Sequence, residues 1–111
     1  MKNNKTLFLT LKKKPFEVMV TGEKSKEYRE VKVWVISRLF HKNGTPKEYE
    51  FIKFVNGFGA KMPYFICKFE GFFLDKSCSI RRTYSNGLCL EITEPVYVIN
   101  CGEIVEKGNL K

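Results

Sequence analysis

The stretch PFEVMVTGEKSKEYRE, residues 15–30, joins an apolar segment to a densely charged one. In its first half, Phe16, Met19 and Val20 recur at the i, i+3 and i+4 spacing of one helix face. A proline stands at the start and Gly22 just past the end, which suits the opening and the termination of a helix. The sequence therefore predicts a short helix over residues 15–21 whose apolar stripe packs on the core.

The second half of the stretch, GEKSKEYRE, is expected to turn after the glycine and to resume as a strand near Glu27–Lys32. Because side chains alternate along a strand, Glu27 and Arg29 then share one face and Tyr28 points to the other. Lys24 lies at the turn. Spacing alone leaves two interpretations open: a surface ion-pair ladder worth about 0–1 kcal/mol, or cations and a carboxylate that converge on a pocket mouth.

The flanking segments complete the predicted fold. Before the stretch, Leu7, Leu9 and Leu11 alternate with other residues as in a strand with one apolar face. After it, WVISRLF (34–40) predicts a second short helix that packs through Ile36, Leu39 and Phe40, with a strand as the alternative. The segments EYEFIKFV, MPYFICKFEGFFL, LCLEIT and VYVINCGEIV predict strands, and residues 75–87 an exposed basic connection. We expect one domain, residues 1–111, of the α+β class: a small, five- to six-stranded, mostly antiparallel β-barrel with two short helices.

Composition limits the function. The net charge of +8 favours a polyanionic partner such as nucleic acid. No apolar run is long enough to span a membrane, and the first residues do not resemble a signal peptide, so we expect no membrane association and a cytoplasmic location.

The reactive residue types exclude two kinds of site. With one histidine, His41, and one aspartate, Asp75, neither a Ser-His-Asp triad nor a His-rich metal site can be assembled. The four cysteines lack paired C-x-x-C spacing, so buried free thiols are expected, with a disulfide or metal cluster as the alternatives. No cofactor and no metal are predicted.

The stretch GEKSKEYRE after PFEVMVT resembles the G-x-K-x-x-E-x-R signature of the ASCH domain, a family in the PUA-like superfamily of small β-barrels. The resemblance continues in WVISRLF, FIKFVNGFGAKMPYFICKFEGF and YVINCGEIVE, which stand in the order usual for small single-domain members. It thus covers most of the chain, from Thr6 to Glu106.

The resemblance implies a cleft at the helix–strand junction that carries the signature, and a role in binding RNA or modified nucleotides. A few family members are enzymes, among them an amidohydrolase acting on N4-acetylcytidine through the signature lysine, a threonine three residues later and a separate glutamate; others have been linked to ribonuclease activity. Lys24 matches that lysine. Glu27 stands at the position of the threonine, so the hydroxyl is absent here.

Two further segments are candidate binding elements. The loop NGFGAK offers Asn56, Phe58 and Lys61, with Phe58 able either to stack on a base or to cover the end of the barrel. A similar NGYG-like segment recurs in the family, which favours Asn56 and Gly57 as pocket residues. The segment SIRRTYSNG places Arg81, Arg82 and Tyr84 together, a basic-aromatic combination that suits single-stranded nucleic acid, the alternative being a solvated loop. We interpret Lys12–Lys14 as solvated charge at a strand end.

The leading hypothesis is a module that binds RNA or a nucleotide. Lys24 and Arg29 contact phosphate or carbonyl groups, Glu27 accepts from a base edge or orients Arg29, and Tyr28 or Phe58 packs on the ligand. The alternative is a small amidohydrolase or nuclease in which Lys24 and Glu27 are catalytic. A third possibility is a domain that binds a protein partner through its basic face.

Overall fold

The computed structural model describes residues 5–110, in which strands and two short helices alternate before the chain becomes entirely β. The elements are β1 (Thr6–Leu11), α1 (Lys13–Val20), β2 (Lys26–Glu30), α2 (Val33–Leu39), β3 (Phe51–Asn56), β4 (Tyr64–Asp75), β5 (Ile80–Thr83), β6 (Cys89–Ile92) and β7 (Val96–Gly108).

Five of the strands form one sheet in the order β1-β3-β4-β7-β2, and it curls into a half-barrel. β1 pairs with β3 in parallel, and the other three ladders are antiparallel. β5 and β6 form a separate hairpin. The α+β class, the mostly antiparallel sheet and the two helices are as predicted. β1 and β2 are the two edges of the sheet. The gap between these two edges of the curled sheet is called the β1–β2 seam below.

The helix α1 begins two residues before the predicted start, at Lys13. Pro15 falls inside the first turn, where its missing N–H has no partner to lose, and Phe16 donates the first helical bond to the Lys12 carbonyl at 3.0 Å. The first turn holds no acidic residue, and Lys12 caps it without a side-chain bond. Positive charge at a helix start is electrostatically unfavourable, so these lysines do not stabilise the helix.

The end of α1 follows the prediction. Gly22 has a φ of +88° and donates to the Met19 carbonyl at 3.0 Å, which closes the last turn. Lys24 then donates its backbone N–H to Val18 at 3.0 Å, so the chain folds back tightly enough to bring the charged segment beside the helix.

The second helix is confirmed as α2, and its predicted packing face is right in part. Leu39 is buried and Phe40 packs against the core as predicted, but Ile36 is 38% exposed and Val35 is buried instead. The buried pair, Val35 and Leu39, is spaced i, i+4, which leaves Trp34 and Arg38, also i, i+4, on a neighbouring face. Neither helix of the described chain is long and apolar enough to cross a membrane.

Both helices pack against one side of the sheet. Phe16 of α1 lies 5.5 Å from Phe65 of β4, and Phe54 of β3 stacks on Phe65 at 5.1 Å between ring centroids. The other side of β7 and β2 is covered by the β5–β6 hairpin over a small second cluster around Val96 and Val98. β7 is therefore buried on both faces at its start.

The prediction of an exposed connection over residues 75–87 is wrong in part. β5 lies within it and pairs with β6, so the described residues form seven strands where five or six were predicted. Cys78 and Tyr84 are both 5% exposed. Two adjacent arginines hide the apolar alternation of so short a strand, and the burial comes from β7, which is distant in sequence.

Candidate functional site

The charged residues after Gly22 form a compact ion-pair cluster. Lys24 Nζ lies 3.1 Å from Glu27 Oε1, and Arg29 donates from Nε and Nη2 to Glu27 Oε2 at 2.7 Å each. The side chains of Lys24, Glu27 and Arg29 are only 3%, 8% and 15% exposed. These three residues therefore come together, and their burial excludes a surface ladder. The predicted convergence on a pocket mouth holds only for Glu27 and Arg29, because Lys24 does not line the cleft described below.

Arg29, the second cation of the cluster, also connects β2 to the open edge of β1. Arg29 Nη2 donates to the Thr10 carbonyl of β1 at 2.9 Å, and Arg38 of α2 donates to the Phe8 carbonyl at 3.1 Å. Two guanidinium groups thus satisfy carbonyls that a neighbouring strand would otherwise pair. Within the described residues, Arg29 Nη1 makes no hydrogen bond to the protein, so this end of the fork is available to a ligand.

A cleft of about 560 Å³ lies over the β1–β2 seam. Its walls come from the end of β1, from β2, from the start of α2 and from the β3–β4 loop; the lining residues include Lys12, Glu27, Tyr28, Arg29, Lys32, Trp34, Asn56 and Phe58. Three segments that are separated in sequence, residues 10–12, 27–35 and 56–58, therefore contribute to one concave surface that contains Glu27 and Arg29, as expected of a ligand site.

Two exposed aromatic rings line the cleft. Phe58 is 85% exposed on the loop between β3 and β4, and Trp34 is 47% exposed with its ring 5.8 Å from the Arg29 guanidinium. Gly57 and Gly59 have φ of +94° and +119°, which sets the tight course of the loop on either side of Phe58. The side-chain amide of Asn56, within the described residues, has no protein hydrogen-bond partner.

Lys24 lies behind the cleft wall. Its ammonium group contacts the Lys26 carbonyl at 2.5 Å, Met19 Sδ at 3.7 Å and the Tyr28 ring at 5.3 Å, and it borders a separate cavity of about 30 Å³. Lys24 thus holds Glu27 from the inside. Burial raises the pKa of the Tyr28 phenol, whose ring packs toward the second cluster.

Two thiols share that small cavity with Lys24. Cys67 of β4 and Cys101 of β7 line it, and Cys101 Sγ donates to the Ile99 carbonyl at 3.8 Å. The interaction between the two neighbouring thiols lowers the pKa of Cys67 and raises that of Cys101. All four cysteines are free: Cys67 and Cys78 are buried, as expected, whereas Cys89 is exposed. In the part of the chain described, no three His, Cys, Asp or Glu side chains come together as a metal site.

The other predicted binding residues lie outside the cleft. Arg81 pairs with Glu91 at 2.7 Å on the exposed hairpin, and Arg82 lies 4.5 Å over the ring of Tyr84. Tyr84 is buried, so its ring is not free to stack on a base in this conformation. Lys61 is exposed on the β3–β4 loop and does not line the cleft.

Hydrogen bonds hold the tip of the β5–β6 hairpin against α1 and against Glu23, the residue after Gly22. Ser85 donates from its backbone N–H and its hydroxyl to Glu23 at 2.9 and 2.6 Å, and these bonds lower the pKa of the Glu23 carboxyl. Asn86 donates to the Lys14 carbonyl and to Glu17 of α1 at 3.0 and 2.9 Å. The hairpin, α1 and the residue after Gly22 are therefore one connected surface.

Several cleft residues were not predicted, among them Trp34, Lys32 and Lys12. A signal for Trp34 existed, because Val35 and Leu39 alone give the i, i+4 core pair of α2 and leave the only tryptophan of the chain on the face beside it. Lys12 carried no comparable signal, since its place on the cleft depends on how β1 and β2 approach each other.

Comparisons with protein-family models, with curated proteins and with solved structures returned no match for this chain. The resemblance to the ASCH domain therefore stays a prediction, and the functional interpretation depends on the geometry of the cleft.

Proposed function

We propose that the protein binds single-stranded nucleic acid, RNA in the first instance, or a modified nucleotide, and that an unpaired base enters the cleft over the β1–β2 seam. The observation that carries the proposal is the combination on one concave surface of two exposed aromatic rings, Trp34 and Phe58, with the unused Nη1 of Arg29. Nucleobases are bound by stacking on aromatic rings and by hydrogen bonds to their edges.

Each group has a defined role in this proposal. Arg29 donates to a carbonyl or phosphate oxygen, and the Asn56 amide offers both a donor and an acceptor to the base edge. Phe58 and Trp34 supply stacking surfaces. Lys12 and Lys32 lie on the wall of the cleft. Lys32 Nζ also forms an ion pair with Glu30 Oε1 at 3.1 Å. The net charge of +8 favours a polyanionic partner.

Glu27 is assigned a positioning role. One of its carboxylate oxygens holds Lys24 and the other holds Arg29, so the side chain fixes the orientation of the guanidinium group. Because both carboxylate oxygens of Glu27 are occupied by these ion pairs, the geometry gives little support to a mechanism in which Lys24 and Glu27 exchange protons with a substrate. Lys24 acts through Glu27, from behind the cleft.

The single tryptophan makes the proposal directly measurable. Titration of the protein with uridine, cytidine, adenosine and guanosine monophosphates at about 50 mM salt is expected to quench Trp34 fluorescence, because a stacked base changes the environment of the indole. Phe58→Ala is expected to weaken binding about 5- to 150-fold, which corresponds to the ~1–3 kcal/mol of one base–aromatic contact.

The control is Phe73→Ala, since Phe73 is another exposed phenylalanine, at 48%, and lies outside the cleft. It is expected to leave affinity unchanged. Absence of quenching with every nucleotide and with single-stranded RNA at low salt would overturn the proposal. Hydrolysis of N4-acetylcytidine that is lost in Glu27→Gln would instead favour the enzyme alternative.

A further inference from the structure

We propose that the ligand of the cleft is a strand several nucleotides long, which leaves the cleft over the start of α1 and ends against the β5–β6 hairpin. The inference rests on the proposed function, because it extends the same site. The surface in question, called the basic track below, consists of Lys12, Lys13, Lys14 and Arg82.

The basic track begins at the cleft and reaches the hairpin. Lys12 lines the cleft, and the next two residues open α1. Lys14 meets the hairpin tip: its carbonyl accepts from Asn86 at 3.0 Å, and its Nζ lies 3.5 Å from the point that a Cβ on Gly87 would occupy. Arg82 belongs to β5, just before the tip, and its guanidinium lies over the ring of Tyr84. A strand leaving the cleft in this direction therefore meets cations on α1 and on the hairpin.

The charges of the track are available to a partner. All four residues are exposed, and within residues 5–110 none of them forms an ion pair, whereas Arg81, Lys32 and Lys68 each have an acidic partner. Two acids beside the hairpin tip, Glu17 and Glu23, accept hydrogen bonds from Asn86 and Ser85. They hold the hairpin against α1 and thereby give the track a fixed shape.

The chemistry of the track suits a backbone and that of the cleft suits a base. Lysines without ion pairs contact phosphates regardless of sequence, while stacking needs a base that is not paired. A duplex keeps its bases stacked inside, so a single strand is the partner that satisfies both surfaces. A mononucleotide can use the cleft but carries no second phosphate for the far end of the track.

The test compares ligands of increasing length on the full chain. Trp34 fluorescence and the anisotropy of labelled ligands are measured with uridine monophosphate, with uridine oligomers of three, six and twelve nucleotides, with the deoxy twelve-mer and with a duplex. The track variant is Lys13→Gln/Lys14→Gln, and Lys42→Gln/Lys68→Gln removes the same charge from exposed lysines that line neither the cleft nor the hairpin. Circular dichroism confirms that both variants fold.

The wild-type protein is expected to bind the twelve-mer at least tenfold more tightly than the mononucleotide. In the track variant, the slope of log K against log salt concentration is expected to fall by about 1.4, because each phosphate contact with a single strand contributes about 0.7. Mononucleotide affinity stays unchanged in that variant, and the control variant keeps the wild-type slope. Comparison of the two twelve-mers tells RNA from DNA.

Equal affinity for mononucleotide and twelve-mer, or the same slope in both variants, would overturn the track and leave the base-binding cleft in place. Tighter binding of the duplex than of the single strands would overturn it as well. If neither mononucleotide nor oligomer binds, the proposed function itself fails.

Discussion

Two stretches of the chain, GEKSKEYRE (22–30) and SIRRTYSNG (79–87), both place arginine beside tyrosine, but they bury different groups. In the first, Lys24 and Glu27 are buried and Arg29 is largely buried, while the tyrosine is half-buried; in the second, the arginines are exposed and the tyrosine is buried. The difference lies in the placement of the acids. Glu27 stands three residues after Lys24 and two before Arg29, so the charges neutralise one another locally and can leave water together.

The second stretch has no acid of its own. Arg81 finds Glu91 across the hairpin, where both side chains remain exposed at 79% and 58%. In the first stretch, charges of opposite sign alternate at the spacing of one turn and one strand, and these charges are buried. In the second stretch, which lacks an acid, the charges stay at the surface and the neighbouring tyrosine is buried.

The largest effect is expected where the buried acid is removed. Glu27→Ala leaves Lys24 and Arg29 in the interior without a counter-charge, so the free energy of unfolding should fall by about 3–5 kcal/mol. The matched change Glu91→Ala in the exposed pair should cost about 1 kcal/mol or less. Urea unfolding followed by circular dichroism measures both, and equal losses would contradict the distinction between the two stretches.

The next effect concerns the apolar part of the second stretch. Tyr84→Ala should lower the free energy of unfolding by about 3 kcal/mol, because a buried aromatic side chain leaves a cavity. Tyr84→Phe keeps the ring and should cost no more than about 1 kcal/mol, the scale of one hydrogen bond. Thermal unfolding distinguishes the two variants. A negligible loss in Tyr84→Ala would mean that the ring is free in solution.

A smaller effect separates the two kinds of arginine. Arg29→Lys keeps the charge but cannot reach both Glu27 and the Thr10 carbonyl, so it should cost about 1.5–3 kcal/mol, the range of a hydrogen bond to a charged group. Arg82→Lys retains a cation over Tyr84 and should change stability by about 0.5 kcal/mol or less. Parallel denaturant titrations decide it, and similar losses would remove the special role of the seam.

The smallest effect is the acid response of the contact that joins the two stretches. Hydrogen bonds from Ser85 hold the pKa of the Glu23 carboxyl below its usual value. A lowered folded-state pKa means that the contact stabilises the fold at pH values above the unfolded-state pKa and loses this contribution as the pH falls through the folded-state pKa. The protection factor of the Ser85 amide, which is the intrinsic exchange rate at each pH divided by the measured rate, should fall only at the acid end of a series from about pH 6 to about pH 3.

The control for this response is Glu23→Gln. An amide side chain does not titrate in this range, so the protection factor of Ser85 should lose its acid step while the rest of the sheet is unaffected. An acid step that persists in Glu23→Gln would assign it to another carboxylate.

Much of the fold was predictable because its signals are local. The leucine alternation in β1, the apolar stripe and Gly22 of α1, and the aromatic runs of β3, β4 and β7 follow directly from side-chain periodicity. β5 was missed because its four residues include two arginines, and the packing face of α2 was misjudged because Val35 and Ile36 are neighbours of equal hydrophobicity.

For the site, the sequence by itself determined the pairing of Glu27 with Arg29 and the nearness of Lys24, since one strand face and one glycine turn bring them together. Only the tertiary structure decided that Lys24 lies behind the cleft, that Trp34 stands on the same cleft as Phe58, and that Arg29 reaches the Thr10 carbonyl. Strand parity and helix period act over a few residues, whereas these contacts depend on how far the sheet curls and how closely its two edges approach.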